Sequence, residues 1–129
     1  MTNTDDWIRS IVARELKRYK KLKPVALEEI EYITLKICDQ PLGSGTNNKV
    51  LENAIVRREG AREFCKSIET ILKKIPETLR IILIRSYIHE DSDVQIYMDL
   101  EISERSYYYK KKKAIKKFYN IWLLKDEKL

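Results

Sequence analysis

The chain has 129 residues, 43% of them apolar, and its 26 Lys and Arg against 20 Asp and Glu leave a net charge of +6. That length suits one domain, or one domain with an extended helical arm, and the apolar share excludes disorder by composition. With three Gly and three Pro and apolar residues recurring at helical spacing, the expected fold is all-α with few turns. No apolar run nears the roughly 20 residues that span a bilayer, so no membrane partner is expected.

Thr4 with Asp5 and Asp6 opens the first predicted helix. Trp7, Ile8, Ile11, Val12, Glu15, Leu16 and Tyr19 form its stripe, and the basic run 17–23 suits the negative end of a helix. That run reads as a solvated last turn, with a second DNA contact as the alternative. Pro24 should stop or redirect the helix. The amino-terminal M-T-N-T-D-D-W is polar and acidic, unlike a signal peptide, which leads to a cytoplasmic expectation.

A second helix is expected from Val25 to Cys38, followed by the loop D-Q-P-L-G-S-G-T-N-N. Gly43-Ser44-Gly45 lacks the spaced second Gly, Lys and Ser/Thr of a phosphate loop. From Lys49 to Ile75 the pattern is one long helix or two stacked ones. Gly60 interrupts it, which points to a hinge or a close helix crossing. Arg57, Arg58, Glu59, Arg62 and Glu63 read as a solvated face of paired charges. Cys38 and Cys65 sit inside helical patterns without metal-like spacing and read as reduced core thiols.

Pro76 starts the next helix in its first turn, where a missing N–H costs nothing. Leu79–Ile84, Tyr87 and Ile88 make it strongly apolar. His89, Glu90 and Asp91 form a polar link; a lone histidine there is a solvent-facing residue sooner than a metal ligand. Ser92 and Ser103 are N-cap candidates, each followed by a carboxylate in the first turn. Between them Val94, Ile96, Tyr97 and Leu100 predict one buried stripe, and Leu100–Ile102 leave room only for a tight turn. A short helix, a tight turn and a second helix make a helix-turn-helix, whose second helix enters the major groove.

Glu104–Tyr119 holds seven cations against one anion. That +6 equals the charge of the whole chain, so basicity is concentrated on one element, as a phosphate-facing surface requires. Tyr107, Ala114, Ile115 and Phe118 form its dry face, with the Lys111 stem along the core and its ammonium in water. Glu104, Arg105, Tyr108, Tyr109, Lys112, Lys113 and Lys116 form the face assigned to DNA, with base edges read near the helix start and phosphates met further along. Beyond it, Ile121, Trp122, Leu123 and Leu124 must pack on the body or on a partner. The expected domains are an N-terminal helical region over 1–75, suited to oligomerisation or partner binding, the helix-turn-helix unit over 76–124 and a tail over 125–129.

The run D-V-Q-I-Y-M-D-L-E-I-S-E-R-S-Y-Y-Y-K-K-K-K-A-I-K-K-F, Asp93–Phe118, resembles the C-terminal motif of the ArpU family of phage transcriptional regulators. That motif pairs an I-S-E-R-T-Y-Y-R-like turn and helix start with a lysine-rich continuation ending in A-(I/L)-x-x-(F/L). Tyr109 followed by Lys110 departs from relatives, which often carry an arginine one position earlier. More distantly the run resembles region 4 of sigma factors, with Ser103, Ser106, Tyr107, Ala114 and Ile115 in the corresponding slots. The resemblance implies late-gene control (packaging and lysis) in a bacterial host cell, and the sigma likeness suggests RNA polymerase as a partner beside double-stranded DNA.

No catalytic constellation emerges from one histidine and scattered carboxylates, so neither enzyme activity, a cofactor nor a metal is expected. The leading reading is a sequence-specific DNA-binding transcription regulator. The alternatives are a small DNA-packaging (terminase) subunit working as a homo-oligomeric ring, and an RNA- or protein-binding helical adaptor.

Overall fold

The structure, a computed structural model, describes residues 2–27 and 44–127. Every regular element among them is a helix, so the fold is all-α: α1 (Thr2–Leu27), α2 (Ser44–Lys73), α3 (Glu77–Leu83), α4 (Asp93–Asp99) and α5 (Glu104–Glu127). A wider π-turn, Ile84–Ile88, continues α3. No helix among the described residues is long and apolar enough to cross a membrane. The chain forms two compact units, one of Met1–Tyr19 with Ile68–Leu129 and one of Lys20–Ser67. The expected boundary at 75/76 therefore departs from the fold, which groups the start of α1 with the carboxyl-terminal helices.

In the first unit the stripe of α1 is buried at Ile11, Val12 and Leu16. Trp7 is exposed and meets Tyr119 edge-on at 6.1 Å. Glu15 is a buried carboxylate, a position that is costly unless hydrogen-bonded. It accepts from Trp122 Nε1 at 3.1 Å and pairs with Arg14 at 3.4 Å. Tyr19 donates to Glu69 of α2 at 2.7 Å. The apolar cluster at the end of α5 divides: Trp122 is held in this way and stacks on Tyr119, while Leu123 and Leu124 face outward. The segment expected as a tail from 125 continues α5 as far as Glu127.

The core of the unit lies along α5. Ile82, Ile96 and Tyr107 form one cluster of it, with Tyr97, Leu100 and Ile102 packed against them. Ala114, Ile115 and Phe118 continue the buried seam. Pro76 is the N-cap of α3, one position before the helix, and its carbonyl accepts from Arg80 N at 2.9 Å. Val94, expected in the buried stripe of α4, is exposed. At 3.6 residues per turn Val94 lies about 160° around α4 from Ile96, so it points away from the core that Ile96, Tyr97 and Leu100 meet.

In the second unit, α1 continues through Pro24 to Leu27, where a stop was predicted and where Val25 was expected to open a new helix. An interior proline costs about 3 kcal/mol, but only one turn follows it here and that turn buries Ala26. Ser44–Asn48, expected as loop, belongs to α2. The remainder of the second predicted helix, the loop up to Gly43 and Cys38 lie outside the described residues. α2 is a single helix through Gly60, and among the described residues nothing approaches within 4 Å of where a Cβ would stand there, so no close crossing among them explains the glycine. Glu59 pairs with Arg58 at 2.9 Å and with Arg62 at 3.7 Å. Cys65 is buried with a reduced thiol.

Candidate nucleic-acid interface

Local chemistry sets both ends of the connection between α4 and α5. Ser92 Oγ accepts from Gln95 N at 3.2 Å, and Ser103 Oγ accepts from Ser106 N at 3.1 Å, so each serine satisfies a donor that a helix start leaves open. α4 ends in a Schellman turn. Ile102 N donates to Tyr97 O at 3.2 Å and Glu101 N donates to Met98 O at 3.1 Å. Glu101 takes the left-handed position of that turn, with φ 57°. Glycine usually fills this position, and its absence here hid the turn type in the sequence. The apolar pair that accompanies such a turn is present, since Tyr97 and Ile102 both pack on the core of Ile82, Ile96 and Tyr107.

Asp93, in the first turn of α4, locks that helix to α5. Its Oδ1 accepts from Tyr107 Oη at 2.6 Å and pairs with Lys111 Nζ at 2.9 Å. Tyr108 Oη stands 3.5 Å from Oδ2, at the limit of a hydrogen bond. Burial opposes the charge of Asp93, but the bonds from Tyr107 and Lys111 outweigh it and hold the carboxyl below its ordinary value. Burial, and then the bond to Asp93, push the Tyr107 phenol well above its ordinary value. The Lys111 ammonium, expected in water, is instead tied to Asp93 and lies 5.5 Å from the centre of the Tyr87 ring. A carboxylate from a neighbouring helix offers more than solvent does to a half-buried cation.

The π-turn supports the same junction. Its widened backbone carries Arg85, Ser86 and Tyr87. Arg85 donates to Asp91 and to Asp99, each at 2.8 Å, across both ends of α4. Bonds to Asp91 and then Asp99 raise the guanidinium pKa, and the Arg85 bond lowers that of Asp99. Asp99 closes the negative end of its helix, where a carboxylate is unfavourable, and Arg85 offsets this. Ser86 Oγ stands 3.3 Å from Tyr107 Oη.

This framework fixes the rotation of α5. With Tyr107, Ala114, Ile115 and Phe118 buried, Glu104, Arg105, Tyr108, Tyr109, Lys112, Lys113 and Lys116 are all exposed. α1 borders one edge of that surface. Asp5 stands 3.5 Å from Lys112 and 4.0 Å from Lys116. An open pocket of about 380 Å³ lies between α1 and the α4–α5 junction, lined by Arg9, Asp93, Tyr108, Lys111, Lys112 and Ile115. Asp5 and Arg9 were not among the residues assigned to the face. They lie about a hundred residues before α5 in the chain, and no local pattern marks their approach. His89 is exposed, and no cluster of metal-ligating side chains occurs among the described residues.

Comparison with known proteins adds no family: no protein-family model, no curated protein and no solved structure matches this chain.

Proposed function

We propose that this chain is a sequence-specific regulator that binds double-stranded DNA by laying α5 in the major groove. The carrying observation is the exposed side of α5, which has Glu104, Arg105, Tyr108 and Tyr109 near the helix start and Lys112, Lys113 and Lys116 beyond them. A helix of this diameter fits the major groove, where side chains near its N-terminus meet base edges while later lysines meet phosphates. α4 and its capped turn would hold that helix at a fixed angle to the backbone. Arg105 is the residue best suited to a guanine edge, and the tyrosines suit thymine methyls and phosphate oxygens.

A role in phage late-gene transcription, with RNA polymerase as a further partner, rests on the sequence resemblance of Asp93–Phe118 alone. Selection of bound sites from random duplex DNA tests the reading. An enriched motif is expected, and its symmetry would separate a monomer or dimer on a promoter from a ring of packaging subunits. Recovery of sequences no different from the input pool would overturn sequence-specific regulation.

A further inference from the structure

The pocket between α1 and the α4–α5 junction is concave and gathers donors from two helices. Arg9 comes from α1; Tyr108, Lys111 and Lys112 come from α5. Asp93, the only carboxylate among its described lining residues, is already matched by Lys111 at 2.9 Å and by the Tyr107 hydroxyl at 2.6 Å. Arg9 forms no ion pair among the described residues. Lys112 reaches Asp5 only at 3.5 Å, with more than half of its side chain in solvent, and pairs so exposed contribute little. Ile115 supplies an apolar wall. The pocket thus holds more positive charge than its own carboxylate balances, and its volume is at the lower end of the roughly 300–1,000 Å³ of ligand sites.

We propose that this pocket binds a phosphate group, held by the Arg9 guanidinium, the Lys112 ammonium and the Tyr108 hydroxyl. A guanidinium fork, an ammonium and a phenolic donor together match the several oxygens of a phosphate better than the two of a carboxylate. The phosphate is either a backbone phosphate of duplex DNA or a free phosphate. The first source rests on the reading of α5 as a DNA-binding helix and makes α1 part of the interface, since it would seat one strand beside the groove that α5 enters. Arg9 is then a phosphate-binding residue outside the recognition helix.

The experiment uses the full chain, Arg9→Gln and, as a charge-matched control on an exposed site away from the pocket, Lys73→Gln. Inorganic phosphate is titrated while the Arg9 side-chain N–H and the amides of 108–112 are followed by NMR. The affinity for a duplex of about 20 base pairs is measured against salt in parallel. Saturable shifts at those groups, lost in Arg9→Gln and kept in Lys73→Gln, are expected. So is a salt slope shallower by up to about 0.9 in Arg9→Gln only. Phosphate shifts with an unaltered duplex slope would uphold the pocket and assign it to a free phosphate. Phosphate shifts in a chain that binds no duplex even at low salt would uphold the pocket and overturn the DNA reading. Absence of saturable shifts together with an unaltered slope would overturn the proposal.

Discussion

Tyr107 donates its phenolic proton to Asp93 at 2.6 Å, and this bond joins the first turn of α4 to the buried face of α5. The rotation of α5, and so the choice of side chains it presents, follows from this bond and from the packing of the Tyr107 ring on Ile82 and Ile96. The rings of Tyr97, 5.7 Å away, and Tyr108, 5.1 Å away, pack against it.

Asp93→Asn should therefore destabilise the protein at neutral pH. Hydrogen bonds to a charged group contribute about 1.5–3 kcal/mol, and partial exposure of Asp93 reduces the expected effect to about 1–2 kcal/mol. The folded carboxyl titrates below its ordinary value. Its contribution is thus complete above the unfolded pKa of about 3.9 and disappears as pH falls through the lower folded value. Urea unfolding of parent and variant at neutral pH and at about pH 2–3 checks this. The gap between them should close in acid, and a gap of constant size would show that the charge of Asp93 is not what stabilises the junction.

Tyr107 and Arg105 should separate folding from recognition. Tyr107→Ala removes a fully buried aromatic ring and should cost roughly 3–5 kcal/mol. Arg105→Ala, on the exposed side, should leave stability within about 0.5 kcal/mol. It should reduce discrimination between cognate and random DNA by about 1–3 kcal/mol. Melting temperatures and both affinities decide the matter, and a stable Tyr107→Ala beside an unfolded Arg105→Ala would reverse the assignment of faces.

On the proposed reading of α5 as a DNA-binding helix, Asp5 should weaken duplex binding, because its carboxylate competes for Lys112 and Lys116. Such exposed pairs contribute up to about 1 kcal/mol, so Asp5→Asn should tighten binding to random duplex by up to roughly fivefold. Replacing Lys112, Lys113 and Lys116 with Ala should act in the opposite direction. It should flatten the dependence of log affinity on log salt by up to about 0.9 for each phosphate no longer neutralised. An Asp5→Asn variant that binds no tighter than the parent at low salt would mean that the carboxylate does not compete with DNA.

Two glycine exchanges should each stabilise the fold. Glu101 holds a left-handed conformation that costs a side-chain-bearing residue roughly 1–2 kcal/mol. Part of that gain is cancelled by the greater chain entropy of glycine, so Glu101→Gly should stabilise by up to about 1 kcal/mol. Gly60 is an exposed interior helix position with open space around it, and Gly60→Ala should add about 1 kcal/mol. Urea midpoints should rise with unchanged slopes. A lower midpoint for Glu101→Gly would indicate that the Glu101 side chain contributes more than its backbone costs.

Helical periodicity and the serine caps at helix starts are local, and both were legible in the sequence alone. The all-α class, Ser92 and Ser103 as caps, and the buried seam of Tyr107, Ala114, Ile115 and Phe118 follow from residues within a turn or two of one another. The concentration of charge on α5 is likewise a count along the chain. Tertiary structure decided whatever depends on residues far apart in sequence. Glu15 receives Trp122 across 107 positions, Asp5 reaches Lys112, and Arg9 shares a pocket with Tyr108. Lys111 was expected to lay its stem along the core and its ammonium in water; α4 instead brings it a partner, Asp93. Val94 is three residues from Tyr97, yet it lies on the far side of α4 from Ile96, and the neighbouring helix cover reaches only the Ile96 side. Periodicity states which residues can share a face, and only the neighbouring helices determine how wide a face is covered and which charges meet across it.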